Sequence, residues 1–151
     1  MIKNLDKIEC RLLLSQNYIG HLSYIFSHKP YVVPMTYYYD VNTDFVIGYA
    51  SKGHKIKALR IQRDVAMVVS EVDSVNHWKS VLVQGVYHEC EGSTALMNLR
   101  KFTSGVKEII RNIEGINVSY ISEFSSKIIK EGSPIVYKIE VEDIIGRVRG
   151  L

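Results

Sequence analysis

The 151-residue chain is poor in the features that mark whole classes of protein. It has no long uncharged apolar run, so no transmembrane helix is expected. Its opening residues, MIKNLDKIEC, lack the apolar stretch of a secretion signal, and a cytoplasmic protein is expected. Only two cysteines occur, Cys10 and Cys90, far apart and without metal-ligand spacing. They predict neither a disulfide framework nor a metal site, and each reads as a small hydrophobe. A formal net charge of +3, with scattered lysines and arginines, is too slight for nucleic acid but suits a small anionic ligand. There is no Walker-type loop, GxGxxG, GxSxG or HExxH, and no Cys–His constellation, which removes the nucleotide folds and hydrolases built on those motifs. Repeats, low-complexity tracts and linkers are also missing. One domain spanning residues 1–151, long enough to bury a substantial core, is the expectation.

Hydrophobic patterning supplies the architecture. Leu5 to Ser15 reads as an amphipathic helix with Leu5, Ile8, Leu12 and Leu13 on one face. Tyr18–Phe26 and Tyr31–Tyr39 read as strands, and Asp40–Asp44 as a hairpin loop before the strand Phe45–Ala50. A short helix around Ile56, Leu59 and Arg60 ends near Asp64. The strand Val65–Val72 follows, then a polar connection over Val75–Lys79 and a long strand Trp78–Cys90 with a bulge at Gly85. Leu96, Leu99, Phe102, Val106, Ile109 and Ile110 keep helical spacing. A further helix starting at Ser119 is one reading of an ambiguous stretch, and Pro134–Arg147 closes the chain as a strand broken at Gly146. Six strands joined mostly by short turns predict a mainly β domain, an antiparallel barrel, closed or nearly so, with peripheral helices.

The most informative stretch is FVIGYASKGHKIKALR, Phe45 to Arg60. A strand runs straight into Ser51-Lys52-Gly53-His54-Lys55 and then a helix, with Ser51 as the expected N-cap. Helix N-termini attract anions through unpaired N–H groups and the helix dipole, and Gly53 allows close approach of the backbone. Phosphate is the natural guest. The competing reading is an ordinary capped surface helix with solvated lysines.

Taken in order, IGHLS (Ile19–Ser23), PYVVPMTYYYD (Pro30–Asp40), FVIGYASKGHKIKALR, WKSVLVQGVYHE (Trp78–Glu89) and the terminal VYKIEVEDIIGRVRG (Val136–Gly150) resemble the FMN-binding split-barrel proteins of the pyridoxamine 5′-phosphate oxidase-like superfamily. The nearest likeness is to the branch containing nitroimidazole-resistance-type flavoproteins. The resemblance implies a six-stranded Greek-key split barrel that binds FMN as a homodimer, with each flavin between two subunits. Carried over, Lys55 pairs with the FMN phosphate, assisted by His54 and Ser51. Pro34, Met35, Thr36 and Tyr37 lie along the flavin ring, and Tyr49 and Ala50 line its near side. Trp78 and Ser80 come from the partner subunit, Ser80 reaching the ligand and Trp78 either covering the flavin ring or, the safer assignment, filling the interface.

Two departures from the pattern narrow the implied activity. Gly48 stands where nitroimidazole-resistance proteins typically carry a histidine, which argues against specific nitroimidazole reduction. The tail after Ile145 is only GRVRGL, without the substrate-binding extension of true pyridoxamine-phosphate oxidases. An FMN-dependent oxidoreductase is therefore expected, fed by a nicotinamide nucleotide or another small donor, with no side chain nominated as a general acid or base. A flavin carrier or sensor would show the same motifs. Haem or a deazaflavin is the remaining alternative, although His21, His28, His54, His77 and His88 nominate no axial ligand.

Overall fold

In the computed structural model, which describes residues 1–116 and 134–150, the chain order is β1 (Ile2–Leu5), α1 (Lys7–Gln16), β2 (Ile19–Phe26), β3 (Lys29–Thr36), β4 (Tyr38–Asp40), β5 (Phe45–Ala50), α2 (His54–Ile61), β6 (Asp64–Ser74), β7 (His77–Glu89), α3 (Gly92–Glu114) and β8 (Ile135–Arg149). The strands form one antiparallel sheet in the order β3-β2-β6-β7-β8-β5-β4, with β1 also paired to β8. The mainly β, antiparallel expectation holds. The count is eight strands rather than six, and the sheet is not closed, since β3 and β4 end the path.

The two extra strands have local causes. Asp6 caps α1, its carboxylate accepting from the Glu9 N–H at 2.7 Å while Glu9 accepts from the Asp6 N–H. This capping box starts the helix at Lys7 and leaves Ile2–Leu5 free to pair with β8. The predicted strand Tyr31–Tyr39 divides at Tyr37. Its N–H bonds the Tyr18 carbonyl at 2.8 Å, and its hydroxyl donates to the Leu14 carbonyl at 2.7 Å, drawing it into the core beneath α1.

The helices differ in detail from the sequence pattern. In α1 the buried face is Cys10, Leu13 and Leu14, whereas Ile8 and Leu12, assigned to it from spacing, are exposed. Helix α2 ends at Ile61, and Asp64 opens β6 instead of ending the helix. The connection expected over Val75–Lys79 shrinks to two residues, because β7 begins at His77. Helix α3 buries Leu99, Phe102, Val106 and Ile110 as the spacing predicts, and stops at Gly115, whose φ of 68° suits a glycine. The helix proposed from Ser119 lies outside the described residues.

The bulge at Gly85 is present as a register shift between Gln84 and Gly85. Gly146 does not break β8. It sits within the strand, where a Cβ would come within 2.6 Å of the Cys10 sulfur, so a glycine there lets α1 pack onto the sheet. One core cluster fills the inner face of the sheet under α1 and α2. A second, built from Ile47, Leu99, Phe102, Val106, Ile110 and Val136, seats α3 against β5 and β8.

Two aspartates in the β4–β5 hairpin anchor the flanking helices. Asp44 accepts from Arg11 at 3.1 and 3.0 Å and from the Tyr39 hydroxyl at 2.5 Å. Buried Asp40 accepts from Lys101 of α3 at 3.1 Å and from Thr43 at 3.0 Å. Burial pushes the Asp40 carboxyl up, but Lys101, Thr43 and the Asn42 N–H outweigh it and hold the group below its ordinary value.

Candidate functional site

The end of β3, the end of β5 and the start of α2 enclose a cleft of about 310 Å³. Its walls are Pro34, Met35 and Thr36 from β3, Tyr49, Ala50 and Ser51 from β5 and the following loop, Lys55 from α2, and Phe102 from α3. Seven of the eleven residues nominated from sequence meet here. They converge because β5 runs directly into α2 across the short link Ser51–Gly53, while α3 packs across the back of β5.

Lys55 is the distinctive group. It is half-buried, burial alone pushes its ammonium below the ordinary lysine value, and no carboxylate pairs with it among the described residues. Its ammonium lies over the Tyr137 ring, 5.9 Å from Nζ to the centroid. A partly desolvated, unpaired cation at the wall of a cleft lowers its free energy by taking an anion. The N-terminus of α2 adds to this. Its N-cap is Gly53 rather than the expected Ser51, no side chain caps it, and the first-turn N–H groups have no side-chain acceptor.

Gly48 is buried in β5 behind the cleft wall, against Met35 and Tyr137. A Cβ there would meet Cζ and the hydroxyl of Tyr137 at 2.8 Å and the Met35 methyl at 3.1 Å. The volume that a larger side chain would take belongs to Tyr137, which is 1% exposed and donates to the Met35 sulfur at 3.9 Å. Burial pushes the Tyr137 hydroxyl far above its ordinary pKa, so it stays neutral. Phe102, which sequence reading missed as a wall residue, meets Tyr49 edge-on at a centroid distance of 4.9 Å. Its helical spacing marks it as apolar and inward-facing, but nothing local in the sequence tells that its ring reaches this cleft.

Four nominated residues stand elsewhere. Tyr37 does not line the cleft: its side chain is fully buried and points to α1, and its N–H is bonded to the Tyr18 carbonyl. His54 leaves the first turn of α2 on another side and enters an aromatic cluster, 4.8 Å from Phe26, 5.0 Å from Tyr31 and 6.1 Å from Tyr24. Trp78 and Ser80 lie on β7, away from the cleft of their own chain.

Those two residues belong to the outer face of the sheet, where the pairing register sets three rows. Pro34 of the cleft stands opposite His21, followed across the sheet by Val68, Leu82 and Ile145. The next row is Ser70, Ser80, Arg147 and Asn4, and the third is Val72, Trp78, Arg149 and Ile2. Val68, Val72, Ile145 and Ile2 on this face are all at least a third exposed.

Hollows elsewhere on the surface are larger, about 360 to 490 Å³. None of them joins a half-buried, unpaired cation to a helix N-terminus. Among the described residues there is no cluster of three or more His, Cys, Asp or Glu able to hold a metal ion, and no helix long and apolar enough to cross a membrane.

An uncharacterized protein of Rhizobium meliloti (strain 1021) is 28% identical over 88 residues, 58% of this chain and 57% of that relative's length. A FAD-binding protein from Mesorhizobium loti superimposes with a TM-score of 0.75 at 24% identity, covering 100% of this chain and 98% of the other. A structure described as a candidate 5-nitroimidazole antibiotic resistance protein from Bacteroides thetaiotaomicron gives a TM-score of 0.65 at 20% identity, covering 98% and 89%. These likenesses establish a shared split-barrel fold. Residues 6–148 match the sequence model described as pyridoxamine 5′-phosphate oxidase, and the chain belongs to that family.

Proposed function

We propose that the protein is a flavin-binding homodimer that uses FMN for oxidoreductase chemistry. The observation that carries this reading is Lys55, a half-buried cation without a carboxylate, beside an uncapped helix N-terminus and at the wall of the cleft. That donor set fits a phosphoryl group, which needs a compact positive charge and backbone N–H donors. Similarity in fold to a FAD-binding protein supports a flavin as the rest of the ligand.

A bound flavin would supply hydride or electron transfer, and the chain would supply binding, orientation and protection from water. Lys55 and the first turn of α2 hold the phosphate. Strand β3 is the last strand of the sheet, so the backbone groups on its free edge at Pro34–Thr36 are available to a polar heterocycle. Tyr49, braced edge-on by Phe102, closes the apolar side. Burial raises the pKa of the Tyr137 hydroxyl, which favours its neutral form.

The size of the cleft and the outer face support dimerisation. About 310 Å³ is at the small end for a cofactor site, and Pro34 joins the cleft to an exposed face bearing Val68, Leu82, Ile145 and Trp78. A second copy on that face would cover the ligand. The activity is tested by anaerobic mixing of the FMN-loaded protein with NADH or NADPH while flavin absorbance is followed. Reduction faster than that of free FMN supports an oxidoreductase. A bound flavin that is reduced no faster by either donor overturns the proposed turnover and leaves a carrier.

A further inference from the structure

Helix α2 presents both the cation and the backbone donors of the proposed phosphate site, yet it has only eight residues. So short a helix is marginal on its own, and tertiary contacts set its place on the sheet. Ile56, Ala58 and Leu59 bury one side of it, but apolar burial is non-directional. A contact of defined geometry lies at its last turn. Arg60 donates to Glu89 of β7 through Nε at 2.5 Å and Nη2 at 3.2 Å, a two-point pairing of guanidinium with carboxylate. The same carboxylate accepts from the Tyr87 hydroxyl at 2.9 Å. The Tyr87 ring meets the Tyr137 ring at a centroid distance of 5.3 Å, and the Lys55 ammonium lies over Tyr137. These contacts form a circuit that leaves α2 at Arg60, passes through the core side chains Tyr87 and Tyr137, and returns to the helix at Lys55.

Glu89 also meets the chain on either side of α2. The N–H of neighbouring Tyr87 bonds the Arg63 carbonyl at 2.9 Å, just past the end of the helix. The Arg60 hydrogen bonds hold the Glu89 carboxyl below its ordinary value against the opposing effect of burial. The Tyr87 hydroxyl and the ammonium of Lys52, in the link that precedes α2, act in the same direction as Arg60. None of Arg60, Tyr87 and Glu89 lines the cleft.

We propose that Glu89 is a positioning residue for the phosphate site: by holding Arg60 and Tyr87 it fixes α2 where Lys55 and the first-turn N–H groups meet the phosphate. This rests on the flavin-phosphate site proposed above. A carboxylate carries the same sign of charge as the phosphate, so its field alone opposes binding. Glu89 favours the ligand only through the geometry it imposes on the groups that touch it.

That difference in sign supplies the test. Glu89→Gln keeps a carbonyl oxygen for the Tyr87 hydroxyl and removes the charged pairing with Arg60. By charge alone the substitution tightens FMN; by positioning it weakens FMN, by about threefold or more. Riboflavin, which lacks the phosphate, should bind the variant and the wild type alike. In a Lys55→Met background the effect of Glu89→Gln on FMN should shrink, because the two residues act on one contact. Unchanged or tighter FMN binding by Glu89→Gln overturns the inference. So does an equal loss for riboflavin, which would mean a general loosening of the cleft. Lys55→Met binding FMN as well as the wild type would remove the phosphate site itself, and the inference with it. Should Glu89→Gln fail to fold, Tyr87→Phe carries the same test without a change of charge: it should weaken FMN and spare riboflavin, and unchanged FMN affinity overturns the inference.

Discussion

Replacing Lys55 by methionine separates a binding role from a structural one. Methionine keeps most of the packing of the lysine stem but removes the charge. A hydrogen bond to a charged group contributes about 1.5–3 kcal/mol, which corresponds to roughly a ten- to hundredfold loss of FMN affinity. Quenching of flavin fluorescence during titration reads this directly. Riboflavin, which lacks the phosphate, serves as the internal control and should bind both proteins alike. Stability should move the other way. Burial holds the folded-state pKa of Lys55 below its ordinary value of 10.5. Below the folded value both states carry the proton and the cost of the buried charge is felt in full; that cost is relieved as pH rises toward the unfolded value. At neutral pH the apo form of Lys55→Met should therefore melt no lower than the wild type. Wild-type FMN affinity should also begin to fall at a pH below the usual lysine range, and Lys55→Arg should flatten that fall. Unchanged FMN affinity, or an equal loss for riboflavin, would refute the placement of the phosphate at Lys55.

Gly48→Ala forces a Cβ to 2.8 Å from the Tyr137 ring and hydroxyl. The overpacking should cost about 1–3 kcal/mol and lower the melting temperature by several degrees; an unchanged melting temperature would mean that the packing around Tyr137 yields freely. Asp44→Asn weakens the contacts to Arg11 and Tyr39. The Arg11 hydrogen bonds hold the Asp44 carboxyl below its ordinary value, so its contribution is present above that value and lost as pH falls through the folded pKa. The pair is partly exposed, so the loss should be only about 1 kcal/mol at neutral pH and shrink in acid; parallel stability curves for the two proteins would show that the ion pair contributes nothing. Trp78→Ala should raise the dimer dissociation constant or release flavin, measured by sedimentation with and without FMN, and a dimer that dissociates no more readily and holds FMN normally would remove Trp78 from the interface.

The cleft was legible in the sequence where its parts are contiguous. Phe45–Ala50 occupies the residues that its flanking turns implied, and the link Ser51–Gly53 delivers Lys55 to the end of that strand. What depends on distant packing was not legible. Phe102 comes from a helix some fifty positions away, and only the docking of α3 on β5 brings it to Tyr49. Tyr37 continues an alternating pattern with its neighbours, yet contacts with Tyr18 and Leu14 outweigh one more rung of the ladder. His54 and Lys55 look equivalent as adjacent basic residues at a helix start, but successive helical residues point about 100° apart. One enters the cleft wall and the other an aromatic cluster. In α1, Ile8 and Leu12 satisfy a helical period as well as Cys10, Leu13 and Leu14 do. The buried face is set by tertiary packing, with Cys10 close to Gly146 and Leu13 and Leu14 in the core cluster.

The most direct test of the central claim is a visible absorption spectrum of the purified protein, recorded after incubation with FMN and passage through a gel-filtration column. A flavin band travelling with the protein, and released as FMN by heat, is the predicted result. A colourless protein emerging from that column would contradict the flavin-binding account while leaving the fold unchanged.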